Sequence, residues 1–233
     1  MRKGILGAAV ALVLGASTGS AYGVVLGQID TFEDGSTDGW VNSLLGRGGP
    51  NPPINVSTGG PGGTDDNYML LTSSGSPGPG GKMVVINPAQ WSGDYIGGGV
   101  TTLTMALNNF GDTELHLRIL FEKVAPGSGP TDVAGSTDAF VIAPHSGWVN
   151  ATFDVTPGAL TSLLGSVDNA LSDATVIRLY HNSAGPGFPP GDIAASLGVD
   201  NIRAVPEPGT LTAFLVGGAI MARRRLKRSR GAA

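Results

Sequence analysis

The chain has 233 residues with 38 Gly, 16 Pro, no Cys and a formal net charge of −4. That length suits one β-domain of ordinary size and is too little for two large ones. The lack of Cys removes disulfide frameworks, thiolate metal sites and Cys nucleophiles. From Val24 to Ala204 there are 17 acids against 6 bases, and a body so acidic repels phosphate backbones, which argues against a nucleic-acid partner.

The N-terminus reads as an export signal over residues 1–23. Met1-Arg2-Lys3 is a positive start, Gly4 to Leu14 is small and apolar, and cleavage is expected after Gly23 or after Ala21. Gly15-Ala16-Ser17-Thr18-Gly19 fits a nucleophile-elbow pattern, but it lies inside this segment with no preceding strand and is rejected. Gly80-Gly81-Lys82 is likewise no phosphate loop, because Ser76 and Met83 stand where the motif needs Gly and Ser or Thr.

Residues 24–204 read as a β-sandwich. Short runs of β-branched, aromatic and aliphatic residues recur between clusters of turn residues. Strands are expected at Gln28–Glu33, Ile54–Ser57, Tyr68–Thr72, Lys82–Asn87, Val100–Asn109, Leu115–Lys123, Ala139–Ala143, Trp148–Val155, Thr175–His181 and Leu197–Val205. Alternation is clean in several. Leu103, Met105 and Leu107 oppose Thr102, Thr104 and Asn108, and Val149, Ala151 and Phe153 oppose Trp148, Asn150 and Thr152. One buried and one wet face per strand predicts an all-β, two-sheet, jelly-roll-like sandwich. One short helix is expected over Ala159–Gly165, and Gly46–Asp66 and Ser73–Gly81 read mainly as loops.

The candidate chemistry in this body is sparse. His116, His145 and His181 have no metal-ligand spacing, and His145-Ser146 between Pro144 and Gly147 reads as a turn. No pair of carboxylates is singled out for glycoside hydrolysis. Asp34-Gly35-Ser36-Thr37-Asp38-Gly39 reads either as a solvated turn or as an oxygen-rich loop for a hard cation. Leu45 stands where an EF-hand needs its bidentate Glu. Trp148, Asn150, Arg178 and Tyr180 all fall on the polar side of their strands by alternation. They form the candidate carbohydrate-binding set, two stacking rings with hydrogen-bond donors. The alternative is that the rings are packing residues.

The C-terminus carries a second address. Pro206-Glu207-Pro208-Gly209 stops any regular element. Thr210 to Ala222 is uncharged and mostly apolar, and Arg223, Arg224 and Arg225 open a basic cluster that reaches Arg230. A helix over 210–222 spans about 20 Å, short of the roughly 30 Å hydrocarbon core, a gap that snorkelling arginines and local thinning narrow. The positive-inside rule places the arginines in the cytoplasm.

The order Pro-Glu-Pro, apolar helix, arginine cluster over 205–228 resembles the PEP-CTERM sorting signal of Gram-negative bacteria. The resemblance implies a substrate of an exosortase, cut near Pro206-Glu207-Pro208 after signal peptidase has acted, with a transient inner-membrane precursor and a final place in the cell envelope or extracellular matrix. It also implies a link to exopolysaccharide and biofilm.

The body has a resemblance of its own. Phe32-Glu33-Asp34-Gly35 with Gly39-Trp40 opens it, and Leu197-Gly198-Val199-Asp200-Asn201-Ile202 closes it. Both are similar to galactose-binding-like and family-4 carbohydrate-binding jelly rolls. In these the first and last strands lie close, and acids from both hold a structural calcium. Here that set would be Glu33, Asp34, Asp38 and Asp200. The expected function is that of an exported, non-catalytic surface protein. The alternatives are a carbohydrate-binding module for envelope polysaccharide and, third, a polysaccharide-active enzyme.

Overall fold

Alternating side chains carry this chain into strands, and in the computed structural model, which describes residues 23–43, 49–78 and 80–206, they form two antiparallel sheets of six strands each. Sheet I contains β1 (Ile29–Asp30), β2 (Ile54–Val56), β3 (Tyr68–Ser74), β5 (Thr102–Asn109), β9 (Trp148–Asp154) and β12 (Ala194–Val205). Its order is β2-β3-β12-β5-β9, with β1 also pairing with β12. Sheet II contains β4 (Val84–Asn87), β6 (Leu115–Val124), β7 (Pro130–Ser136), β8 (Phe140–Ile142), β10 (Leu160–Leu164) and β11 (Val176–His181). Its order is β10-β7-β6-β11-β4, with β8 on β6. The inner residues of both sheets, among them Leu103, Met105, Leu107, Leu117, Ile119, Phe121, Phe153 and Val199, interdigitate in one core. Each such side chain contributes about 1.5–3 kcal/mol by leaving water.

The first and last strands pair, as the jelly-roll resemblance implies, with Ile29 opposite Arg203 and Asp30 opposite Ile202. Behind them a carboxylate is buried between two indoles. Trp40 Nε1 and Trp91 Nε1 donate to the same Asp30 oxygen at 2.8 and 2.6 Å. Nothing in the sequence spacing of Trp40 and Trp91 signals their shared acceptor.

Three expectations are corrected. The helix expected over Ala159–Gly165 is a strand, β10, entered through a short 3-10 turn at Pro157–Ala159. Leu160 to Ser162 pair with β7, so ladder bonds outweigh local helix preference. The helix lies further on, α1 (Val167–Ser172), where Ser166 accepts from Asn169 N and caps it. β7 itself was not expected. It is rich in Pro, Gly, Ser and Asp, yet it bridges β6 and β10. The other elements are where periodicity placed them, most of them trimmed at the ends, with β3, β6 and β12 longer than expected.

The signal segment and the tail from Glu207 onward, with Pro208, the apolar stretch and Arg223, Arg224 and Arg225, lie outside the described residues. Among the described residues no helix is long and apolar enough to cross a membrane.

Candidate functional site

The two outer faces of the sandwich differ. On sheet II the segment after β11 folds back over the sheet. Tyr180 is buried and its hydroxyl donates to Pro186 O at 2.7 Å. Burial pushes its pKa to about 12. Arg178 Nε and Nη2 donate to the two Glu122 carboxylate oxygens at 2.8 Å each, and the Phe188 ring caps the guanidinium at 4.7 Å. These two residues belong to a covered, internally paired layer.

Sheet I carries the open face. Trp148 and Asn150 project there from β9, and cross-strand register aligns Trp148 with Asn108, Asn150 with Ala106, and Thr152 with Thr104. Trp148 and Asn150 therefore share a face, Arg178 and Tyr180 lie on the other sheet, and the four do not converge.

An aromatic wall closes one end of this face. Trp148 stands edge-on to Tyr68 (5.3 Å between centroids) and to Phe110 (6.2 Å). Its Nε1 donates to Gly59 O at 2.9 Å, which ties the 57–66 loop over the sheet. Gly198 makes the wall fit. A Cβ there would sit 2.8 Å from Phe110 and 2.9 Å from Trp148, so only bare backbone lets the rings lie across β12. Trp148 is half-buried, a packing residue as much as a wall.

Beyond the wall a shallow groove of about 390 Å³ runs over β12, β5 and β9, lined by Pro61, Thr104, Asn150, Thr152, Asn201 and Arg203. Asn150, Thr152 and Arg203 are exposed. The groove owes its last two lining residues to a bulge. β12 is opposite Ala106 at Asp200 but opposite Thr104 only at Arg203, one residue late. The extra residue is Asn201, in the left-handed region at φ 53°. The shift turns Ile202 into the core and brings Arg203 out, as bulges do when they re-aim side chains.

The expected calcium set divides. Asp34 is exposed and accepts from Ser36 N at 2.8 Å, which holds its carboxyl below the usual range. Ser36 in turn donates to Asp38, so the turn satisfies itself. Asp38 lies instead beside Asp30, whose pKa its charge helps to raise.

Asp200 is fully buried where the neighbour of β12 changes from β3 to β1. One of its oxygens accepts from Asn201 Nδ2 at 2.6 Å, and the other, Oδ1, has no partner. Burial pushes it up to about 7, and the charges of Asp66 and Glu33 add to the rise. Asp66 is the acid that sequence reading missed, because its loop carries no ligand spacing. Among the described residues no three His, Asp or Glu side chains are gathered closely enough to hold a metal ion. Asp200 Oδ1 and Thr101 Oγ1 are the buried side-chain oxygens without a partner among the described residues.

No protein-family model matches the chain, and no curated protein matches it. Solved structures do. The family 11 carbohydrate-binding module from Clostridium thermocellum, in complex with a β-1,3-1,4-mixed-linked tetrasaccharide, is 16% identical over 78% of this chain and 97% of its own, with a TM-score of 0.50. The family 11 module of a cellulosomal cellulase from the same bacterium is 17% identical over 78% of this chain and 95% of its own, again with a TM-score of 0.50. An exo-β-agarase is 12% identical over 82% of this chain and 26% of its own, with a TM-score of 0.50. What the chain shares with them is the fold, the two-sheet jelly-roll sandwich of carbohydrate-binding modules.

Proposed function

We propose that the body binds a polysaccharide in the groove on sheet I, without turning it over, and that the two chain ends export it to the cell envelope. The observation that carries the binding is the groove itself, a polar floor of Thr104, Asn150 and Thr152 beside an aromatic wall. Glycan sites pair such hydroxyls and amides with aromatic surface. The family 11 module captured with a tetrasaccharide has the same fold, which supports the reading, although a shared fold does not fix function.

The test is migration of the full chain, in mild detergent, through gels containing mixed-linked β-glucan, agarose or envelope polysaccharide. Replacing Asn150 and Thr152 together by Ala removes two exposed side chains. Two hydrogen bonds at about 0.7 kcal/mol each amount to roughly tenfold in affinity, with the melting temperature unchanged. Wild-type protein that no polysaccharide retards overturns the reading, and turnover of a dyed polysaccharide would replace binding with catalysis.

Sorting has its own test. Alanines at Pro206, Glu207 and Pro208 leave a larger, membrane-retained precursor in cells that have an exosortase. Equal mature size and equal location on fractionated blots would refute the role of the motif.

We also propose a structural calcium at the end of the sandwich where the first and last strands pair. Asp200 would hold it, with Glu33 and Asp66 and backbone carbonyls nearby, and it would neutralise the orphaned oxygen and lock the first strand to the last.

A further inference from the structure

Six basic residues serve the 17 acids between Val24 and Ala204, and the described ones are committed with one exception. Lys82 pairs with Asp192 at 2.7 Å, Lys123 with Asp173 at 3.2 Å, and Arg178 with Glu122 at 2.8 Å. Arg118 is buried and donates to the carbonyls of Asn182, Ser136 and Thr137. Arg203 alone among the described bases has neither a side-chain hydrogen bond nor an ion pair, and it is exposed in the groove.

The Asn201 bulge brings Arg203 out; were Asn201 paired in the regular ladder, the alternation of β12 would aim Arg203 into the core and Ile202 into the groove. Asn is among the few non-Gly residues that enter the left-handed region readily, so Asn201 suits the bulge position. Around the guanidinium stand Thr104, its cross-strand partner, and Thr152 and Asn150 on the next strand. These are neutral groups that suit sugar hydroxyls and leave the cation free for a ligand.

We infer that Arg203 makes this groove selective for acidic glycans, binding the carboxylate of a uronic acid residue while Thr104, Thr152 and Asn150 hold the neighbouring hydroxyls. The planar guanidinium matches a carboxylate with two parallel hydrogen bonds. The negative body opposes this only at range. Its charges are screened beyond about 8 Å at physiological salt, whereas the fork acts in contact. This inference rests on the glycan-binding reading.

Separation of the two comes from polymers that differ only in charge. The probes are alginate and polygalacturonate, each compared with its carboxyl-reduced counterpart, in which every uronate becomes a neutral hexose with the linkages kept. The full chain in mild detergent is expected to bind each acidic polymer tenfold or more tightly than its reduced form at 150 mM salt, and less selectively at 500 mM. Tenfold corresponds to about 1.4 kcal/mol. Arg203→Gln should erase the preference, so that each acidic polymer and its reduced form bind alike. Arg203→Lys, a point charge without the fork, should restore part of it.

Equal binding of acidic and reduced forms by the wild type overturns the inference and leaves the glycan-binding reading standing, as does a preference that survives Arg203→Gln. Binding to neutral β-glucan alone overturns it as well. Retention by none of these polymers removes both.

Discussion

In the presence of a chelator the melting temperature of this protein falls as the pH is raised from 4.5 to 8. Two buried carboxyls set the sign. Asp200 is pushed up to about 7 by burial, with the Asp66 and Glu33 charges adding and the Asn201 backbone bond opposing. Asp30 is pushed up to about 6 by burial, against the two indole N–H bonds that favour its charged form. In the unfolded chain both carboxyls titrate near 3.8. At pH 5 the native state therefore holds protons that the unfolded state has released.

Their stabilising contribution is fully present below the unfolded value and is lost as the pH rises through 6 and 7. Each pKa unit is about 1.4 kcal/mol, so the loss by pH 8 is about 3 kcal/mol or more after relaxation, roughly 6–10 °C for a body of this size. Asp200→Asn keeps the shape and should remove more than half of the slope. Millimolar calcium should restore the wild type at pH 8, by about 2.7 kcal/mol at a hundredfold above its dissociation constant, and should leave Asp200→Asn unmoved. A flat profile in calorimetry at matched ionic strength would show that neither acid is held protonated, and an unchanged midpoint with calcium would remove the ion.

Glu122→Ala is expected to cost about 3–5 kcal/mol, because it strands Arg178 under its Phe188 cap without a counter-charge. The side chains of this pair are only 14% and 6% exposed, unlike a surface ion pair worth about 0–1 kcal/mol. Replacing both partners together by Leu should recover most of the loss, since the outer layer of sheet II is already apolar at Leu120, Val133 and Tyr180. Guanidinium unfolding of the two singles and the double measures this. A loss below about 1 kcal/mol for Glu122→Ala would mean that the 182–193 segment does not seal the pair from water.

The expectation of Arg178 as a sugar contact failed for the same reason that this prediction is large. Alternation along β11 showed that Arg178 and Tyr180 point away from the core, and they do. It carried no information about what lies on the far side. The covering segment is rich in Gly and Pro and has no periodicity, so no local pattern announces that it folds over its own strand.

Much of the fold is legible because alternation is a property of single strands. Leu103, Met105 and Leu107 are core residues whichever strand lies beside them, and the turn residues between runs break the chain nearly everywhere the structure does. β7 and β10 were missed because each is made a strand by its neighbours. Pro130–Ser136 has little strand propensity of its own and is held by ladder bonds on both sides.

By itself the sequence determined the all-β class and the inward faces of the long strands. These follow from side-chain period, which is local; the closeness of the first and last strands was only what the jelly-roll resemblance implied. Only the tertiary structure decided which outward residues share a surface. Asn150 and Arg203 line one groove on sheet I, while Arg178 and Tyr180 sit on sheet II. Likewise only tertiary packing brought Asp66 towards Asp200 and placed Asp30 between two indoles. Sheet membership, register and a one-residue bulge depend on pairing between segments far apart in the chain. The free energy that selects them is the burial of the whole core, which no single run of residues contains.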